Sequence, residues 1–106
     1  MRELTSLAEL REALEGEKPL FILKHSPRCH YCNIAHQLLD DVAAAHEEVA
    51  VAWINVLDQR ELSNVVAETT RIKHESPQLF LFRHGEMVWH ANYPEITRDA
   101  IEEQLR

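Results

Sequence analysis

The feature that most narrows the possible folds is a cysteine pair, Cys29-His30-Tyr31-Cys32, set between an apolar run and a helical repeat. Upstream, Leu20-Phe21-Ile22-Leu23 is short and continuously apolar, the pattern of a strand buried on both faces, and Pro27 interrupts it. Downstream, from about Cys29 to Glu47, apolar residues pair as Ile34/Ala35, Leu38/Leu39 and Val42/Ala43, a four-residue step that reads as a helix. The pair therefore lies where a buried strand gives way to a helix. A disulfide across so short a segment constrains the unfolded chain little. These cysteines are expected to be catalytic or metal-binding rather than structural.

The remaining pattern supplies the elements around that junction. Ser6-Leu7-Ala8-Glu9 is a capping box opening a helix with Leu7, Leu10 and Leu14 on its apolar face, and Gly16 stops it. Val49 to Val56 reads as a second central strand. Asp58-Gln59-Arg60-Glu61 resembles a capping box before a third helix striped by Leu62, Val65, Val66 and Thr69. After Pro77, Leu79–Phe82 and Met87-Val88-Trp89 flank His84-Gly85 as a hairpin, and a last amphipathic helix runs from Thr97 through Ala100, Ile101 and Leu105. The predicted order is αβαβαββα, an α/β fold with a central mixed four-stranded sheet flanked by helices. Two βα crossovers make the early strands parallel, and the hairpin adds an antiparallel edge. This order, with Cys-x-x-Cys after the first strand, is the thioredoxin plan.

Length and charge bound the rest. A chain of 106 residues with no repeat or composition break fits one domain, residues 1–106. A net charge of −7 and the lack of any basic run argue against nucleic acid or an anionic membrane as partner. No apolar stretch approaches the roughly 18 residues that cross a bilayer. The opening Met1-Arg2-Glu3-Leu4-Thr5-Ser6 has no apolar h-region, so the expectation is a cytoplasmic chain without a signal peptide. A monomer is expected.

At a helix start, unpaired N–H groups and the positive end of the helix dipole favour an anion. A thiolate placed there can have a pKa well below the free value of about 8.5, and the thiolate is the attacking species in disulfide exchange. Cys29 is thus the candidate nucleophile. Arg28, and His30 when protonated, would push the same way. Cys32, one turn deeper on the same helical face, is the candidate resolving thiol. The rival from another class is a metal-binding module using Cys29, Cys32 and His36, at i, i+3 and i+7, with His25 near in sequence. Ser76-Pro77 precedes the hairpin. On a thioredoxin plan that proline is cis, faces the cysteines and exposes backbone groups to an extended substrate; elsewhere X–Pro is usually trans.

Most of the remaining histidines (46, 74, 84 and 90) read as surface or edge residues, with His74 and Glu75 bordering the site at most. Trp53 and Trp89 lie in strand patterns and read as packing residues. Leu23 stands six before Cys29, where many thioredoxins carry a buried carboxylate. Proton transfer to the resolving cysteine then falls to Lys24, His25 or water.

The sequence also resembles the monothiol bacilliredoxins of the YtxJ type along essentially its whole length. The likeness is carried by Leu23-Lys24-His25-Ser26, Arg60-Glu61-Leu62-Ser63, Lys73-His74-Glu75-Ser76-Pro77-Gln78 and Gly85-Glu86-Met87-Val88-Trp89. The resemblance implies a thioredoxin-like fold and a cytosolic role in removing bacillithiol, a low-molecular-weight thiol, from protein mixed disulfides. It maps the reactive cysteine to Cys29 and the cis-proline to Pro77. The family usually reads Thr-Cys-Pro-Ile-Ser; here the stretch is Arg28-Cys29-His30-Tyr31-Cys32, a dithiol variant. The function expected is thiol–disulfide oxidoreductase, acting on oxidised or S-thiolated proteins. No organic cofactor is implied beyond an external thiol reductant such as bacillithiol. The alternative within redox chemistry is a general protein disulfide reductase.

Overall fold

A computed structural model describes residues 1–106. The elements are β1 (Arg2–Glu3), α1 (Leu7–Leu14), β2 (Leu20–His25), α2 (His30–Ala45), β3 (Ala50–Asn55), α3 (Arg60–Thr70), β4 (Gln78–Arg83), β5 (Glu86–Asn92) and α4 (Arg98–Gln104). They build one mixed sheet in the order β1-β3-β2-β4-β5. β2 runs parallel to β3 and antiparallel to β4, and β5 pairs antiparallel with β4 at the edge.

The sheet has five strands, not the four expected, because Arg2 and Glu3 pair in parallel with Ala52 and Trp53. The order is therefore βαβαβαββα. Two residues are too few to show a periodic pattern, and this pair is held by the β3 edge rather than by apolar side chains of its own.

β2 is buried at every position, as its continuous apolar run requires, and its side chains alternate between two cores. Leu20 and Ile22 join Leu10 of α1, Leu62 and Val66 of α3, and Phe80 and Phe82 of β4. Phe21 and Leu23 join Ala35, Leu39 and Val42 of α2, Ile101 of α4, and Leu79 and Leu81. Each large side chain so buried contributes roughly 1.5–3 kcal/mol to the packing of helix on sheet.

Local chemistry sets the helix and turn boundaries. Ser6 Oγ accepts from Glu9 N at 3.1 Å, while the Glu9 carboxylate reaches back to Thr5 N at 2.7 Å. Thr97 Oγ1 likewise accepts from Ala100 N at 3.1 Å to open α4. The capping box expected at Asp58 does not form. Asn55 Oδ1 accepts from the N–H groups of Leu57 and Asp58, and Asn55 Nδ2 donates to Asp58 Oδ2, so Asp58 is used in the turn. Gln59 then starts α3 without a side-chain cap. The hairpin turns on His84 (φ 53°) and Gly85 (φ 79°), both left-handed, the geometry that a two-residue hairpin of matching twist needs.

Candidate active site

β2 ends at His25, and the chain folds over Ser26-Pro27-Arg28 with Cys29 N donating to Ser26 O at 3.1 Å. Cys29 is extended (φ −104°, ψ 122°) and occupies the N-cap of α2. Its Sγ accepts a hydrogen bond from Cys32 N at 3.3 Å. A sulfur therefore does the work that a serine or aspartate oxygen does at other helix starts. Both thiols are free; Cys29 is half-buried and Cys32 fully buried.

The two thiols are driven apart in acidity. Burial raises the Cys29 pKa, but hydrogen bonds from the Cys32 thiol, Cys32 N–H and Tyr31 N–H overcome it and hold Cys29 below its ordinary range. Burial pushes Cys32 up to about 11, against an opposing hydrogen bond from Ser26, and the adjacent Cys29 sulfur adds to the rise. The outer sulfur ionises first.

Cys29 opens onto a cleft of about 440 Å³ shared with Tyr31, His74, Glu75, Ser76, Pro77 and Tyr93. The Ser76-Pro77 bond is cis, and so, unforeseen from the sequence, is Tyr93-Pro94. Tyr31 and Tyr93 stack with ring centroids 4.1 Å apart and form one wall. Arg28 and His30 are exposed and do not line this cleft; His30 lies in a neighbouring groove with Asn33 and Ile34. The interactions that lower the Cys29 pKa come from the turn of α2 itself, not from Arg28 or His30.

Beneath the pair, His25 packs between α2 and β3. Its Nδ1 lies 3.2 Å from Cys32 O, and its ring meets His36 at 4.7 Å and Trp53 at 5.2 Å. His36 turns to Asp40 at 3.4 Å. No three His, Cys, Asp or Glu side chains converge as a metal site, so Cys29, Cys32 and His36 do not form the donor set the rival reading needs. Leu23 is wholly buried in the α2-side core. Sequence reasoning missed the role of the two tyrosines of the cleft, Tyr31 inside the cysteine motif and Tyr93 in a Tyr-Pro step just past β5. It also missed the contact of buried Lys24 with His74, 50 residues away.

A family model described as monothiol bacilliredoxin BrxC matches residues 2–101. The chain belongs to the bacilliredoxin family. Similar solved structures agree on the fold. One described as having a thioredoxin fold shares 30% identity at a TM-score of 0.92, covering 99% of this chain and 93% of its own. A mutant thioredoxin from Halobacterium salinarum is 19% identical at a TM-score of 0.83, covering 97% of this chain and 85% of its own. Mitochondrial thioredoxin 3 from Saccharomyces cerevisiae is 18% identical at 0.79, covering 98% and 92%. The fold is thioredoxin-like, and this bacilliredoxin is a thiol–disulfide oxidoreductase. It departs from the monothiol description in carrying a second thiol, Cys32, one helical turn from the first.

Proposed function

We propose that this bacilliredoxin reduces mixed disulfides between proteins and a low-molecular-weight thiol, bacillithiol in the family's terms, by a dithiol route. The Cys29 thiolate attacks the disulfide and forms a new S–S bond to one sulfur, while the bonding electron pair leaves on the other as a thiolate. Cys32 then loses its proton, attacks Cys29 Sγ and releases the bound thiol, leaving a Cys29–Cys32 disulfide. An external thiol supplies the two electrons that restore the dithiol, and no other cofactor enters. The Ser76-Pro77 segment holds the backbone of the substrate protein across the cleft. The working location is the cytoplasm, and the working form a monomer. No helix is long and apolar enough to cross a membrane.

The observation that carries this reading is the division of labour between the sulfurs. Cys29 is accessible and held below its ordinary pKa, whereas Cys32 is buried and held up to about 11, its thiol hydrogen-bonded to Cys29 and its backbone N–H donating to Cys29 Sγ at 3.3 Å. Nucleophilicity needs the first, and resolution needs the second close by. Cys32→Ser should accumulate a mixed disulfide on Cys29 that mass spectrometry detects, and Cys29→Ser should abolish exchange. Normal turnover by Cys29→Ser would refute the assignment. The second thiol also favours ordinary protein disulfides as substrates. Parallel rates on a bacillithiolated protein and on the same protein bearing an internal disulfide separate the two readings.

A further inference from the structure

On the opposite face of β2 from His25, the Lys24 side chain is fully buried, with no carboxylate in ion-pair contact. Its one hydrogen bond runs from Nζ to His74 Nδ1 at 3.2 Å, and Ser63 Oγ lies 3.1 Å from the same nitrogen. An ammonium has donors only, so Nδ1 accepts and the single proton of the neutral ring sits on Nε2. Burial, then Lys24, then Arg60 lower the His74 pKa against a smaller opposing pull from Glu75, which keeps the ring neutral at pH 7. The groups facing this pair are Ser63 and Arg60 from α3, Phe80 and Gln78 from β4, and Glu75 from the same loop. His74 itself is exposed and lines the cleft that contains Cys29, Ser76 and Pro77.

We propose that His74 is a general acid for the exchange reaction, passing its Nε2 proton to the thiolate that Cys29 displaces while its Nδ1 takes a proton from Lys24. The proposal rests on Cys29 being the attacking sulfur. The substrate S–S bond breaks as the Cys29–sulfur bond forms, and the departing sulfur carries away the electron pair and takes the Nε2 proton. What remains is a neutral Lys24 amine and a neutral imidazole protonated on Nδ1. Water restores the starting state by the reverse path. Apart from the proton no group is consumed, and no oxidant or reductant beyond the substrate disulfide is needed. Burial brings the Lys24 ammonium down to about 8. An aliphatic thiol has a pKa of about 8.5, so donor and acceptor are closely matched, as efficient proton transfer requires. Lys24 acts through the ring and is a positioning and proton-supplying residue; His74 is the group that meets the substrate.

The test compares two leaving groups. In the Cys32→Ser background, single-turnover attack by Cys29 is measured on one peptide bearing either an alkyl mixed disulfide or a 2-nitro-5-thiobenzoate mixed disulfide. The aryl thiolate departs unprotonated at neutral pH and needs no acid. His74→Gln should lower the alkyl-to-aryl rate ratio at pH 7 by about 10²-fold, the lower end of general-acid effects. Lys24→Met should lower it similarly. With His74 and Lys24 intact, the ratio should fall as the pH rises above about 8, where Lys24 loses its proton, and neither variant should show that fall. An equal loss on both disulfides, or none on either, overturns the relay. A wrong assignment of the nucleophile shows itself separately, as exchange that survives Cys29→Ser.

Discussion

The last two residues of β2 make a useful comparison between the faces of the sheet. Lys24 continues the stripe of Leu20 and Ile22 toward α3; His25 continues that of Phe21 and Leu23 toward α2. On the α3 side the buried cation has one imidazole and the Phe80 ring, 5.9 Å from Nζ to the centroid. On the α2 side the buried imidazole reaches the Cys32 carbonyl and is boxed in by His36 and Trp53. One strand thus delivers a titratable group to each side of the cysteine pair, simply because strand side chains alternate. The lesson is that both groups are tolerated in a dry interior only at the strand's end, where a loop or a helix start can satisfy them.

The strongest way to break this comparison is to remove the floor of one face. Phe80→Ala should cost about 3–5 kcal/mol in urea unfolding and release the Lys24 side chain, whereas Leu39→Ala, on the other face, should cost about 2–5 kcal/mol. The next effect follows from titration. Lys24 is held at about 8 in the fold against an ordinary 10.5. Between those values the unfolded chain keeps a proton that the folded one has lost, so this residue's contribution to stability rises with pH. The stability of the wild type relative to Lys24→Met should therefore climb from pH 8 toward 10.5, read as a pH series of urea midpoints; a flat difference would mean that Lys24 is solvated.

A sharper probe of the α2 side is His25→Phe, which keeps a ring but loses the bond to Cys32 O. It should cost about 1 kcal/mol in the same assay. The smallest effect lies away from both faces. His46 sits between Glu102 and Glu48, each at 2.9 Å, and Glu102, helped less by Glu48, raises its pKa above 6.5 against the opposing effect of desolvation. Its contribution is complete below 6.5 and disappears as the pH rises through the raised value. The gap between wild type and His46→Gln should close on that alkaline side.

The elements that could be read in advance are those whose information is local. The apolar run of β2, the four-residue step of α2, the capping box at Ser6, the start of a helix at Thr97 and the His84-Gly85 turn all depend on neighbours within a few residues. Asp58 misled because Asn55, three residues earlier, ties it into a turn, accepting from its N–H and donating to its carboxylate. β1 was invisible because its pairing partner is 50 residues away and its own side chains are exposed. At the site, the position of the two cysteines followed from the strand-to-helix junction. The cleft walls and the Lys24–His74 contact did not, since they join β2, α2 and the loops before β4 and after β5. A lysine just past an apolar strand run was the one available hint, and nothing local names its partner.

The sulfur that caps α2 ties the chemistry to the architecture. Cys32 N–H donates to Cys29 Sγ in the dithiol state. Once that sulfur is bonded to a substrate its charge is gone, and the amide loses most of its acceptor. If the contact is worth about 1 kcal/mol, as helix caps are, it biases the couple toward the dithiol and makes the protein more oxidising by roughly 20 mV. On the proposed dithiol route, each cycle loosens and re-tightens a helix end, and the scaffold becomes a reagent whose driving force is set in part by a backbone amide.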